Sequence, residues 1–166
     1  MYARNIDKAY YYHKLNMESV IQSSAEKYYI FRLPQVVGHS ANNYSLINWF
    51  ANSISNGDKI NAWGGAYKNL IGIEEVFKLS SYFIDNKTFE NNIINIVNSR
   101  YYSIKEIINT LEKIINKRAL IEYIDYGFRP NYSQEILKNV TNKTKVVFDN
   151  QYLWKIMSLI YDRKSD

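Results

Sequence analysis

Helix-length segments alternate with short β-branched and aromatic runs along this chain, and that alternation narrows the folds open to it. Residues 8–26 hold no glycine or proline and carry Leu15, Val20 and Ile21 among polar neighbours, the pattern of a helix with one apolar stripe. Tyr28-Tyr29-Ile30-Phe31-Arg32-Leu33 reads as a strand stopped by Pro34. Residues 38–43 read as a loop. Residues 44–56 read as a helix with Leu46, Ile47, Phe50 and Ile54 on one side, ended by Asn56-Gly57. Further strands are expected over residues 59–63, 69–73, 92–97, 120–124 and 145–148. Helices are expected over 74–84, 103–115 and 150–161, with a single helical turn near 134–137 and a loop over 127–133. Ser103 with Glu106 three residues on has the form of a capping box. There is no internal repeat and no low-complexity linker, so residues 1–166 read as a single domain. The alternation implies an α/β layer structure with partly parallel strands.

The bulk properties exclude several kinds of chemistry. The sequence has no cysteine, which removes disulfides, thiolate nucleophiles and zinc–cysteine sites together. His13 and His39 have no metal-ligand spacing, so no metal site is expected. No stretch is apolar and long enough to span a bilayer, and residues 1–8 lack the apolar run of a signal peptide. We therefore expect a cytoplasmic protein with no membrane partner. The net charge of +5 suits an anionic ligand. The basic residues are spread along the chain and form no nucleic-acid-binding motif, so a nucleic-acid partner is not expected. Trp49, Trp63 and Trp154 read as packing residues.

One local pattern carries chemistry. Tyr10 and Lys14 are four residues apart on the first expected helix and so share a face. A free phenol ionises near pH 10, too high for a base at neutrality, and a cation held beside it favours the phenolate. Such a pair can act as a general acid and base. In a chain with 16 tyrosines, the same spacing also arises between two structural surface residues.

The context of that pair is more specific. Tyr10-x-x-x-Lys14-Leu15-x-x-Glu18 precedes the strand that ends in Arg32-Leu33-Pro34-Gln35-Val36-Val37-Gly38. Then come Gly57-Asp58-Lys59-Ile60-x-x-Trp63-Gly64 and Lys68-Asn69-Leu70-Ile71-Gly72-Ile73-Glu74-Glu75-Val76. Residues 92–98 and Tyr102-Ser103-Ile104-Lys105-Glu106 follow. This ordered set, over about residues 8–130, resembles the C-terminal half of the NAD-dependent sugar-nucleotide epimerase/dehydratase family, within the extended short-chain dehydrogenase/reductases. The resemblance implies a partial Rossmann-like parallel sheet with helices and a small substrate-binding subdomain. The catalytic helix would be residues 8–26, and substrate binding would use residues 38–68 and 120–166.

By the same resemblance, Tyr10 is the acid/base and Lys14 holds the nicotinamide ribose and lowers the phenol pKa, so both contact the NAD or NADP cofactor. Pro34 would lie beside the nicotinamide. Gln35, where the family has asparagine, would lie beside the sugar. Lys68 and Arg129 fall where the family places arginines on the diphosphate of a nucleotide-diphosphate sugar. The family's Gly-x-x-Gly-x-x-Gly turn cannot be built from Gly38, Gly57, Gly64, Gly65, Gly72 and Gly127. The N-terminal dinucleotide-binding half is therefore expected to be missing, through truncation, or supplied by a second chain. Without it the isolated chain is expected to be inactive. An uncovered strand edge tends to recruit a partner, so a homo-oligomer or a complementing Rossmann-half chain is expected. The alternative is a truncated, non-catalytic remnant or interaction module with no cofactor site.

Overall fold

A computed structural model describes residues 3–39 and 45–162, with side chains described from residue 8 onward. Helix α1 (Ala3–Ser24) leads into β1 (Tyr29–Arg32) and β2 (Gln35–Val37). Helix α2 (Leu46–Asn56) follows, then β3 (Lys59–Trp63), β4 (Tyr67–Lys68), β5 (Leu70–Gly72) and α3 (Ile73–Asp85). The chain continues through β6 (Asn92–Asn95), β7 (Tyr102–Ser103), α4 (Ile104–Ile115) and β8 (Leu120–Ile124), and ends with α5 (Glu135–Thr144) and α6 (Tyr152–Tyr161). The expected loop over 38–43 and the expected first residue of the second helix fall partly on residues 40–44, outside the described residues.

The strands pair as β1–β6, β2–β5 and β3–β8, all parallel, and β4–β7, antiparallel. The parallel pairing follows from the helices between partners, which return the chain to the same end of the ladder. This is the α/β architecture, with a partial Rossmann-like set of parallel strands, that the alternation predicts.

Local chemistry fixes the helix ends. Ser45 caps α2 by accepting the Asn48 N–H, and Gly57 ends it in the left-handed conformation at φ 80°. The expected capping box is present: Ser103 accepts from the Glu106 N–H, and the Glu106 carboxylate accepts from the Ser103 N–H at 2.7 Å. Two apolar clusters form the core. One joins Ile47, Phe50 and Ile54 of α2 to Ile107, Ile108 and Leu111 of α4 and Leu153 and Met157 of α6. The other joins Leu79 and Phe83 of α3 to Ile94 of β6 and Leu137 and Val140 of α5.

The expected strand over 145–148 does not form. The expected single turn near 134–137 is instead the ten-residue helix α5, which buries Leu137 and Val140. Lys145 caps that helix in the left-handed conformation at φ 56°, and the Val146 N–H donates to the Thr141 carbonyl. Lys145 and Val146 thus form the exit turn of a helix, and residues 146–148 pair with no strand among the described residues. The tryptophans Trp49, Trp63 and Trp154 lie outside the two core clusters, at 39%, 45% and 44% exposed, and Trp49 and Trp63 pack on the Phe50 and Tyr126 rings. No described helix is long and apolar enough to cross a membrane.

Candidate functional site

Three contacts join the segments that carry the predicted site residues. The first anchors α1. Along this helix, among the described side chains, only Leu15, Glu18 and Ile21 are half-buried, spaced three residues apart. Glu18 accepts two hydrogen bonds from Arg32, from Nε at 2.8 Å and from Nη2 at 2.5 Å. The guanidinium holds the Glu18 carboxyl below the usual carboxylate range through that hydrogen bond. Arg32 ends β1, two residues before Pro34. Glu18 lies one helical turn beyond Lys14. The helix bearing Tyr10 and Lys14 is therefore tied to the strand that leads into Pro34 and Gln35.

Tyr10 and Lys14 do meet: Lys14 Nζ lies over the Tyr10 ring, 5.3 Å from its centroid. Tyr10 is 64% exposed, and Tyr11 and Tyr12 beside it are also exposed.

The second contact starts at the turn. The Gln35 N–H donates to the Asn69 carbonyl at 3.2 Å, beside the β2–β5 ladder. Lys68 therefore stands one residue from the backbone that Gln35 touches. The third contact joins the two expected diphosphate ligands. The Tyr67 N–H donates to the Phe128 carbonyl at 3.0 Å, so Lys68 and Arg129 follow two hydrogen-bonded neighbours. Gly127 makes this approach possible: at φ 150°, a Cβ there would stand 2.2 Å from the Ala66 nitrogen.

The two cations have unusual surroundings. Lys68 Nζ lies over the Phe128 ring at 5.9 Å, and Arg129 Cζ lies over Tyr67 at 5.6 Å and Tyr101 at 4.7 Å. Among the described residues neither has a carboxylate partner. Burial pushes the Lys68 ammonium below the usual lysine range. Beside Lys68 opens a pocket of about 310 Å³ lined by Leu46, Trp49, Phe50, Asn61 and Trp63.

Behind these groups lies a buried polar link that the sequence reading missed. Asn69 Nδ2 donates to the Asn98 and Arg100 carbonyls at 2.7 and 3.0 Å, and Asn69 Oδ1 accepts from the Asn98 N–H. Asn98 Nδ2 donates to the Leu70 carbonyl and to the Tyr102 hydroxyl. This link fixes β4 and β5 against the segment before β7. The only sequence sign of it was asparagine inside or directly after an apolar run, at 69 and 98.

The described residues do not offer a dinucleotide pyrophosphate a home. Gly72 is the one glycine set directly between a strand and a helix, but its N–H donates to the Tyr152 hydroxyl at 2.8 Å. Glu74 and Glu75 occupy the first turn of that helix, where an anion would be repelled. Gly57 caps α2, and Gly64 and Gly65 donate to the Ile124 and Tyr126 carbonyls. Among the described residues no group of three histidines or acids could hold a metal ion.

No family model matches the chain, and no curated protein matches it in sequence. Solved structures do match in shape. The UDP-glucose 4-epimerase of Thermus thermophilus, in complex with NAD, superposes with a TM-score of 0.66 at 16% identity, over 91% of this chain and 51% of that one. The chain has the fold of half a nucleotide-sugar epimerase. A UDP-glucuronic acid 4-epimerase of Bacillus cereus, in complex with NAD and a fluorinated UDP-sugar, gives a TM-score of 0.64 at 16% identity, over 81% of this chain and 44% of that one. The dTDP-glucose 4,6-dehydratase of Bacillus anthracis, in complex with NAD, gives 0.63 at 13% identity, over 88% and 48%. This half-fold spans about half the length of the solved structures it matches. At such identities the likeness is one of fold, and the roles of individual residues rest on the geometry above.

Proposed function

We propose that this chain forms the diphosphate-binding and acid–base part of an NAD(P)-dependent nucleotide-sugar epimerase, dehydratase or reductase. The observation that carries this reading is that Lys68 and Arg129 stand on hydrogen-bonded neighbouring segments with no carboxylate partner among the described residues, and that Lys68 lines an aromatic pocket. Two cations on adjoining segments without a carboxylate partner favour an anionic ligand. A diphosphate, with charge on both phosphoryl groups, matches the pair through charge-assisted hydrogen bonds. The rings of Trp49 and Trp63 offer apolar surface to the nucleoside end.

At the other end, Tyr10 would take the proton of a sugar hydroxyl and return it, with Lys14 beside it on the same helix face. Pro34 would pack against the nicotinamide and Gln35 would donate to the sugar. A bound nicotinamide supplies hydride acceptance and return. Its pyrophosphate would be held by other polypeptide carrying a glycine-rich turn, as a complementing half or a further segment.

Calorimetry with UDP-glucose and the purified chain tests the substrate half of the reading. Micromolar to millimolar binding is expected, with loss of at least tenfold in the Lys68→Ala, Arg129→Ala double variant, the scale of removing charge-assisted contacts. Equal affinity of variant and parent would refute it. In an assembly that turns over, Tyr10→Phe should abolish proton transfer with substrate affinity kept.

A further inference from the structure

We propose that Tyr67 and Tyr101 are positioning residues that hold the Arg129 guanidinium flat and leave its donor edge free for the substrate diphosphate; this rests on the function proposed above. A guanidinium can be oriented by a carboxylate or by aromatic faces. A carboxylate occupies the N–H donors and neutralises the charge. A ring attracts the cation through its face and takes none of the in-plane donors. Arg129 lies over two rings, 4.7 and 5.6 Å from their centroids, and has no ion-pair partner among the described residues. Its five N–H groups thus keep their capacity for an anion.

Both rings are themselves fixed. The Tyr101 ring stacks on Tyr132, with centroids 6.3 Å apart and planes 6° from parallel. The Tyr101 hydroxyl accepts the Tyr132 N–H at 3.1 Å, which ties the far end of the Arg129 loop. Tyr67 lies in β4, and its N–H holds the near end of the same loop through the Phe128 carbonyl. The tyrosine whose backbone secures the loop therefore also places its ring under the loop's arginine. The next residue in the strand is Lys68, whose ammonium lies over the Phe128 ring.

The test is UDP binding by calorimetry with the full chain, read as a mutant cycle. Tyr67→Leu and Tyr101→Leu should each weaken UDP about three- to tenfold, the scale of one cation–π contact. Tyr67→Phe, which keeps the ring and its backbone bond to the loop, should bind within twofold of the parent. In the Arg129→Ala background, the leucine substitutions should add less than a further twofold, because the rings act through Arg129. If the leucine variants bind UDP like the parent, or lose as much without Arg129 as with it, the positioning role is wrong while the diphosphate reading stands. If the parent chain binds no UDP, the diphosphate reading itself fails and takes this assignment with it.

Discussion

Lys68 and Arg129 sit on backbone tied from several sides, whereas Tyr10 and Lys14 ride on a helix secured to the rest of the described chain at Leu15, Glu18 and Ile21. The first pair is held by a strand ladder, a glycine contact, a buried asparagine link and stacked rings. The second pair has its mutual contact and one bidentate ion pair below it. The contrast separates what this half-fold builds by itself from what it only presents. The backbone under the proposed diphosphate ligands is built in. Acid–base geometry depends on whatever surface meets the outer face of α1.

The largest expected effect tests that contrast directly. Phe50→Ala, in the core between α2 and α4, should cost about 3–5 kcal/mol in chemical denaturation, while Val20→Ala on α1 should stay within about 0.5 kcal/mol. A comparable loss at Val20 would mean that α1 is integrated and the contrast is false. Next, Asn98→Ala should cost about 1–3 kcal/mol, because it strands the partners of a fully buried side chain. Asn91→Ala, at an exposed turn, should cost less.

A pH series sharpens the comparison further. Burial pushes the Tyr161 hydroxyl up to about 12 and the Tyr152 hydroxyl higher still. Their unfolded value is near 10, so the stability they contribute is complete below pH 10 and is lost as the pH rises through the folded values. Both pack α6 against the core, so alkaline melting should begin there, seen as phenolate absorbance rising with the loss of structure. Glu18 runs the other way. Its folded value is lowered, so its contribution is present above the ordinary carboxylate range and is lost as the pH falls through the folded value. Hydrogen exchange should therefore show α1 releasing in acid before the core does. The smallest effect is Lys14→Ala, about 0.5 kcal/mol or less in stability, since an exposed cation over a ring contributes little to the fold.

Much of the scaffold was legible in the sequence. The strands at 59–63 and 120–124 appear with the expected limits, and Ser103 with Glu106 fixed the start of α4 unaided. The two- and three-residue strands β2, β4 and β7 were not legible, since periodicity needs a longer run. Helix α5 was read short because its polar stretch after Leu137 has only Val140 to mark an apolar face. At the proposed site, Lys68 and Arg129 were expected from the sequence but Tyr67 and Tyr101 were not. Nothing in a linear pattern says that residues 67, 101 and 129 converge, because a backbone bond and a glycine contact bring them together.

Gly127 has a consequence for anyone who would retune this loop. Its α-hydrogen faces the Ala66 nitrogen where any side chain would collide, so the loop has no slack on that flank. A randomised library meant to alter ligand preference would be wasted at 127. Diversity placed at Asn131 and Ser133, beyond Pro130, would vary the rim and leave the anchoring seam intact.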